Sequence, residues 1–173
     1  TVPLLLAAGL KVIDLSADFR LADAAAYFEW YQKEHSAPQY LGKAVYGLPE
    51  IYKQEIKKTS FVANPGCYPT SVLLGLAPLA AQGVVDWETL VVDSKSGTSG
   101  AGRVPSSMLH FPECAENFRA YRVAGHQHTC EMEQELGKLA GQKITLTFVP
   151  HLLPMIRGIL STIYLRLTVK MEE

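Results

Sequence analysis

At 173 residues and 48% hydrophobic, the chain is long enough to bury a core and to form one domain, or one and a part. A net charge of -1 gives no electrostatic footprint for nucleic acid, and no run approaches the roughly 20 apolar residues that span a bilayer. Three cysteines without framework spacing argue against a secreted disulfide scaffold and for a reducing compartment, by default the cytoplasm.

The apolar opening, 3–10, lacks the basic flank and cleavage site of a signal peptide. It predicts the last turns of a helix stopped at Gly9, then a mostly buried strand over 11–16. A helix-to-strand step at residue 1, with no initiator Met, reads as a start partway through a larger fold. Residues 23–34 predict a helix, with Asp23 as N-cap and Ala24, Tyr27, Phe28 and Tyr31 at helical spacing. A loop-rich stretch through Tyr46-Gly47-Leu48-Pro49-Glu50 leads to a short strand over 60–63 and an Asn-Pro-Gly turn. A helix follows over 69–82, opened by Pro69 and stopped at Gly83, with Pro78 predicting a kink or an early end.

An apolar strand over 90–95 runs into the glycine-rich segment 96–102. Another strand is expected within 116–123, and a helix over 129–139 with Glu131 and Glu133 in its first turn. Ile144, Leu146 and Phe148 alternate with threonines, and Ile159, Ser161, Ile163, Leu165, Leu167 and Val169 line one face of a long strand. The expected class is α+β: a mostly antiparallel sheet with helices on one face. No internal repeat and no low-complexity segment interrupts it.

Four features carry chemistry. A strand, a Pro-Gly turn and a helix start place Cys67 beside a helix N-terminus, where unpaired N–H groups and the macrodipole favour a thiolate. Gly66 lets a substrate approach, and a buried structural cysteine is the alternative. His126 and His128 face the same way from an extended segment and suit a thiolate that needs an acid and base. They could equally cap the helix or lie exposed. A metal held with Cys130 lacks a convincing fourth ligand, so none is expected. The segment 96–103 can present N–H groups to phosphate or to a cofactor amide, although it fits neither the Walker nor the Gly-x-Gly-x-x-Gly spacing. Arg20, Arg103 and Arg157 supply guanidinium forks suited to carboxylate or phosphate.

In order along the chain, several runs resemble the N-acetyl-gamma-glutamyl-phosphate reductases of arginine biosynthesis. They are Asp14-Leu15-Ser16-Ala17-Asp18-Phe19-Arg20, Tyr46-Gly47-Leu48-Pro49-Glu50, Asn64-Pro65-Gly66-Cys67-Tyr68-Pro69-Thr70 and Ser96-Gly97-Thr98-Ser99-Gly100-Ala101-Gly102-Arg103. His126-Gln127-His128-Thr129 and Pro150-His151-Leu152 through Pro154 to Arg157-Gly158-Ile159 complete the set. The resemblance implies that Cys67 attacks an acyl phosphate, that NADPH reduces the resulting thioester, and that the aldehyde is released. It implies His128 as acid and base, with His126 as runner-up or substrate contact. Arg20, Asn64, Arg103 and Arg157 would hold the substrate, and Ser96, Gly97, Ser99 and Gly100 would lie at the nicotinamide end of NADP, the only end expected to touch this chain. A small-molecule acyl phosphate and a second copy of the chain, as a homo-oligomer, are the implied partners.

The sequence departs from the family in two ways. Cys130-Glu131 stands where Pro-Glu is usual, and the glycine-rich Rossmann fingerprint has no counterpart here, nor does the C-terminal return segment. The resemblance therefore divides the chain into 1–63, the last strand of a Rossmann-type nucleotide domain with a connecting segment, and 64–173, an incomplete catalytic and dimerisation domain. Very weak NADPH binding by these residues alone is expected. The alternatives are a reductase of the one-carbon-longer amino-adipyl phosphate, a Cys-His acyltransferase or hydrolase, and a non-catalytic dimerisation domain.

Overall fold

The structure, a computed structural model, describes residues 1–170, which separate into two compact units, one of residues 1–70 and one from Ser71 onward. In the first unit, α1 (Val2–Ala7) ends ahead of Gly9, which takes the left-handed conformation at φ 74°. β1 (Val12–Asp14) is shorter than expected and only Val12 on it is buried; Ile13 is 69% exposed. It is the edge of a three-stranded parallel sheet of order β1-β3-β2, with β2 at Val45–Tyr46 and β3 at Phe61–Ala63. α2 (Ala24–Tyr31) starts as expected, the Asp23 carboxylate accepting the N–H groups of Ala25 and Ala26 at 3.3 and 3.0 Å. Its buried contribution is Tyr27, whereas Phe28 is exposed.

Sequence reasoning treats the stretch after Tyr46 as loop, but α3 occupies Pro49–Lys58. The proline stands in the first turn, Glu50 follows it, and Lys57 and Lys58 close the last turn, all favourable to the helix dipole. The core of this unit gathers Val12, Phe19, Ala37, Phe61 and Ala63.

α4 (Cys67–Gln82) begins two residues earlier than expected, so Cys67 is its first residue rather than its neighbour. Pro78 lies inside without ending it. Val72, Leu73, Leu76 and Ala80 are all buried, and their packing outweighs the local cost of the proline.

The second unit holds a four-stranded sheet of order β5-β6-β4-β7, built from β4 (Val85–Gly97), β5 (Arg119–Ala120), β6 (Thr147–Leu153) and β7 (Ile159–Leu167). Two of its three pairings are antiparallel and β4–β6 is parallel, which agrees with a mostly antiparallel sheet. β4 starts earlier than its apolar run suggests, carrying a register shift between Asp86 and Val91. β5 is only two residues of the expected strand, after the short α5 (Phe111–Cys114). α6 (His128–Ala140) has Glu131 but not Glu133 in its first turn, and the Glu133 carboxylate instead accepts the Leu146 N–H at 3.0 Å.

Ser161 on β7 fixes which face the helices cover. Its hydroxyl lies 2.7 Å from both Ser71 Oγ on α4 and Ser94 Oγ on β4. By alternation, Val91, Asp93, Lys95, Leu160, Thr162 and Tyr164 line the opposite, open face. Among the described residues no helix is long and apolar enough to cross a membrane.

Candidate active site

In the first unit the site is a braced turn. Phe61–Ala63 delivers Asn64, whose N–H donates to the Asp14 carbonyl at 2.8 Å, extending the β1–β3 pairing by one residue. Pro65 and Gly66 follow, both buried, and Cys67 then emerges exposed at the first residue of a 16-residue helix. The Gly66 carbonyl accepts both the N–H and the hydroxyl of Thr70, at 3.0 and 2.9 Å, which closes the first helical turn. The thiol therefore stands where backbone N–H groups converge and a substrate has access.

Arg20 belongs to the same turn. Its Nε donates to the Asn64 carbonyl at 2.7 Å and its Nη2 to the Leu15 carbonyl at 3.1 Å. One planar guanidinium thus ties the segment after β1 to the residue three before Cys67. Arg20, Asn64 and Cys67 are brought together, and Arg20 is committed at two donors to backbone. Gly47 serves the turn in a way sequence reasoning missed: its N–H donates to Ala63 O at 2.8 Å, and a Cβ there would lie 2.8 Å from Val62 Cγ1 and 3.2 Å from Asn64 Cα.

In the second unit the glycine-rich segment leaves β4 and forms a 3-10 turn over Thr98–Ala101. The N–H groups of Gly97, Thr98 and Ser99 donate to the carbonyls of Gly158, Met155 and Ile156 at 2.9, 2.8 and 3.0 Å. They point into the loop between β6 and β7, so the cradle of N–H groups expected at 97–99 is already spent. The residues present do not complete a dinucleotide site: these donors are engaged, and the sequence has no Gly-x-Gly-x-x-Gly run. The glycines have a packing cause. A Cβ on Gly97 would lie 2.8 Å from Arg157 N and from Ile156 C and O, and one on Gly100 would lie 2.8 Å from Ser96 Oγ. Ser96 is buried with its hydroxyl on the Gly97 carbonyl at 3.1 Å, whereas Ser99 and Gly100 are both exposed. Arg157 joins this cluster through its backbone and is exposed, as is Arg103 at the end of the segment.

The two histidines differ sharply. His126 is 6% exposed and its ring meets those of Tyr121, His128 and Phe148 edge to face, at 5.7, 4.7 and 5.4 Å. Burial, aided by the nearby Arg122 cation, pushes its pKa down to about 4. His128 opens α6, half-buried, and its N–H donates to His126 Nδ1 at 3.0 Å. Cys130, two residues on, is buried, and burial together with Glu131 pushes its thiol up to about 12. Its Sγ donates to the Gln127 carbonyl at 3.2 Å. Among the described residues no three His, Cys, Asp or Glu side chains gather as a metal site.

A polar cluster on the open sheet face also escaped sequence reasoning. Asp93 receives Lys95 Nζ at 2.5 Å on one carboxylate oxygen and lies 3.0 Å from His151 Nδ1 at the other, while Phe118 stacks on the His151 ring at 4.9 Å. Asp93 and His151 come from β4 and β6, far apart in sequence, so no local pattern announces the pair.

Residues 67–173 match the family model described as semialdehyde dehydrogenase, dimerisation domain, and residues 1–59 match the one described as semialdehyde dehydrogenase, NAD binding domain. The chain is similar to the N-acetyl-gamma-glutamyl-phosphate reductase of Desulfotalea psychrophila, 59% identical over 172 residues, covering 99% of this chain and 49% of the relative. That of Desulforamulus reducens is 60% identical over 154 residues, covering 89% and 44%. The chain thus spans about half the length of the curated relatives it matches. Among solved structures it resembles aspartate semialdehyde dehydrogenase II from Vibrio cholerae, at TM-score 0.64 and 17% identity, covering 98% of this chain and 52% of that one. The enzyme solved with NADP from Candida albicans gives TM-score 0.55 at 12% identity, covering 98% and 47%. At such identities the likeness speaks for the fold.

Proposed function

The chain belongs to the semialdehyde dehydrogenase family, and from that premise we propose that it is the catalytic portion of an N-acetyl-gamma-glutamyl-phosphate reductase of arginine biosynthesis. The observation that carries this is Cys67, exposed at the first residue of α4 behind a turn braced by Arg20. Its Sγ attacks the γ-acyl carbon, the phosphate leaves with the bonding pair, and a thioester remains. A nicotinamide dinucleotide would supply the hydride that this carbonyl takes up; the family's NAD-binding match supports such a cofactor, and NADPH is the form we propose. The thiohemiacetal then collapses, the C–S bond breaks, and the aldehyde leaves as the thiolate re-forms. His128 is the acid and base for the proton on the carbonyl oxygen. Asn64, Arg103 and Arg157 are the proposed substrate contacts, and Arg20 contributes by holding the Asn64 carbonyl and with it the turn. Ser99 and Gly100, with Ser96 and Gly97 beneath them, face the nicotinamide end.

A second copy of the chain is the proposed macromolecular partner, supported by the dimerisation-domain match to 67–173. Leu160 and Tyr164, 65% and 56% exposed, lie on the open sheet face. Asp93 and Lys95 already neutralise one another there, so covering them strands no lone charge.

The test is made on the protein that carries this chain, run in reverse. N-acetylglutamate 5-semialdehyde should be oxidised only with phosphate and NADP, and Cys67→Ser should abolish the reaction. Turnover without phosphate, or retained in Cys67→Ala, would reject the reading. The one-methylene-longer semialdehyde should be the poorer substrate, by roughly the tenfold or more that a pocket draws from one methylene.

A further inference from the structure

His126 and His128 are two residues apart and of the same type, yet only one is placed to exchange protons with a ligand. α6 begins at His128, and its N-cap residue, Gln127, makes no side-chain cap bond. The first N–H groups of a helix have no partner within it. His126, one position further out, takes two of them: its Nδ1 accepts the His128 N–H at 3.0 Å and its carbonyl accepts the Thr129 N–H at 2.9 Å. We propose that His126 is a positioning residue, a neutral imidazole that serves the reaction only through His128, by capping the first turn of α6 and so fixing the seat of the His128 ring. This rests on the reading of His128 as the acid and base.

Three observations support the assignment. The accepting Nδ1 carries no proton, so the ring proton is on Nε2 and one tautomer is selected. The ring is packed against those of Tyr121 and of Phe148 on β6, both edge to face, which restricts its orientation. The loop that delivers it is strained. Arg122 and Ala124 both hold positive φ, 44° and 54°, while the Tyr121 and Ala124 N–H groups are tied to the Pro150 and Phe148 carbonyls of β6 at 3.0 and 3.3 Å. Non-glycine residues stay in that region only where the surroundings over-determine them, and such strain collects where a side chain must be delivered to one place. The His128 imidazole and the Tyr121 and Phe148 rings pack on the ring, and its burial together with the nearby Arg122 cation disfavours a charged imidazolium.

Nitrogen-15 spectra of the imidazoles in the 173-residue chain test the cap directly. His126 should show an unprotonated Nδ1 and a protonated Nε2, unchanged from about pH 8 to about pH 5, and the His128 amide should be protected from exchange. His126→Asn keeps an acceptor that reaches the N–H two residues on, and should retain that protection and the His128 titration curve. His126→Ala should speed His128 amide exchange roughly tenfold, the loss of one hydrogen bond, and move the His128 titration. A proton on Nδ1 in the unmodified chain overturns the proposal whatever the variants do, and so does an alanine variant with unchanged His128 exchange and titration. Should the alanine variant not fold, the wild-type tautomer and the asparagine variant decide the question in its place. If His128→Gln leaves full activity in the complete protein, it is the acid-base reading that fails, while the cap is judged by these spectra alone.

Discussion

Acidification should weaken the second unit by an amount traceable to one ring. Above the ordinary histidine value of 6.5, His126 is neutral folded or unfolded and pH changes nothing through it. Below that value the unfolded chain takes up a proton that the folded pocket, with its pKa of about 4, refuses. The unfolded state then binds more protons, so stability falls as pH falls from 6.5 towards 4. The linkage gives a loss of about 2 kcal/mol by about pH 5 and about 3 kcal/mol below about pH 4. Carboxylates titrate nearby, so the useful quantity is the difference from His126→Asn, which has no ring to titrate. Urea melts would be followed through Trp87, buried in this unit, in a Trp30→Phe background. Whatever the variant costs at about pH 7.5, its stability gap from the parent should close, or reverse, by about 2 kcal/mol at about pH 5. A gap constant to within about 0.5 kcal/mol would refute both the depressed pKa and the neutral cap, given the usual error of such melts.

Native-state alkylation should label the cysteines in order of access: Cys67 first, half-buried Cys114 next and Cys130 last, since Cys130 is buried and its thiol is pushed up to about 12. Peptide mapping reads the order, and Cys130 labelled alongside Cys67 would contradict it. Gly97→Ala should destabilise by about 1–3 kcal/mol in thermal or urea melts, because its Cβ must displace the backbone at Ile156 and Arg157 rather than a mobile side chain. Arg20→Met should loosen the turn before Cys67, costing about 2 kcal/mol for the charge-assisted bond to the Asn64 carbonyl. Arg20→Lys should rescue little, as one ammonium does not span the Asn64 and Leu15 carbonyls; melts and Cys67 alkylation equal to the parent's in both variants would count against the brace.

What was legible in the sequence was mostly local. The Asp23 cap and the glycine stops at Gly9 and Gly83 follow from backbone chemistry within a turn, and all three stand where expected. The nucleophile turn was readable for the same reason, being a strand, a Pro-Gly step and a helix start in sequence. α3 was passed over although Pro49 and Glu50 announce a helix start, because the glycine and leucine before them read as loop and the helix has no buried residue to give it a stripe. Ile13 and Leu15 read as buried and lie 69% and 71% exposed, since they share the face opposite buried Val12 and that face is uncovered, which periodicity does not write. The histidines looked interchangeable because the difference between them is made by Phe148 and Tyr121 packing on one ring, a contact no spacing encodes.

The glycine-rich segment shows why a motif must be read by the direction of its N–H groups. Glycines after a strand suggest a ligand cradle, but glycine also permits close packing, and the two uses orient the backbone oppositely. Gly97 has an ordinary φ of -66° and gains nothing from left-handed freedom; its smallness admits Ile156 and Arg157, and the N–H groups of 97–99 turn towards that loop. Gly102, at φ 82°, is the position where the conformation itself calls for glycine. The segment is therefore a joint between β4 and the β6–β7 loop, and its outer rim, from Ser99 through Arg103, is presented to solvent. Two serines in one motif then have separable roles. Ser96→Ala removes the hydroxyl donating to the Gly97 carbonyl and should cost about 1 kcal/mol of stability, with little effect on KM for the nicotinamide. Ser99→Ala should leave the melt unchanged and raise that KM severalfold in the protein that carries this chain. The opposite pairing, a KM effect at Ser96 and a stability effect at Ser99, would mean that the N–H groups turn outward in the working enzyme after all.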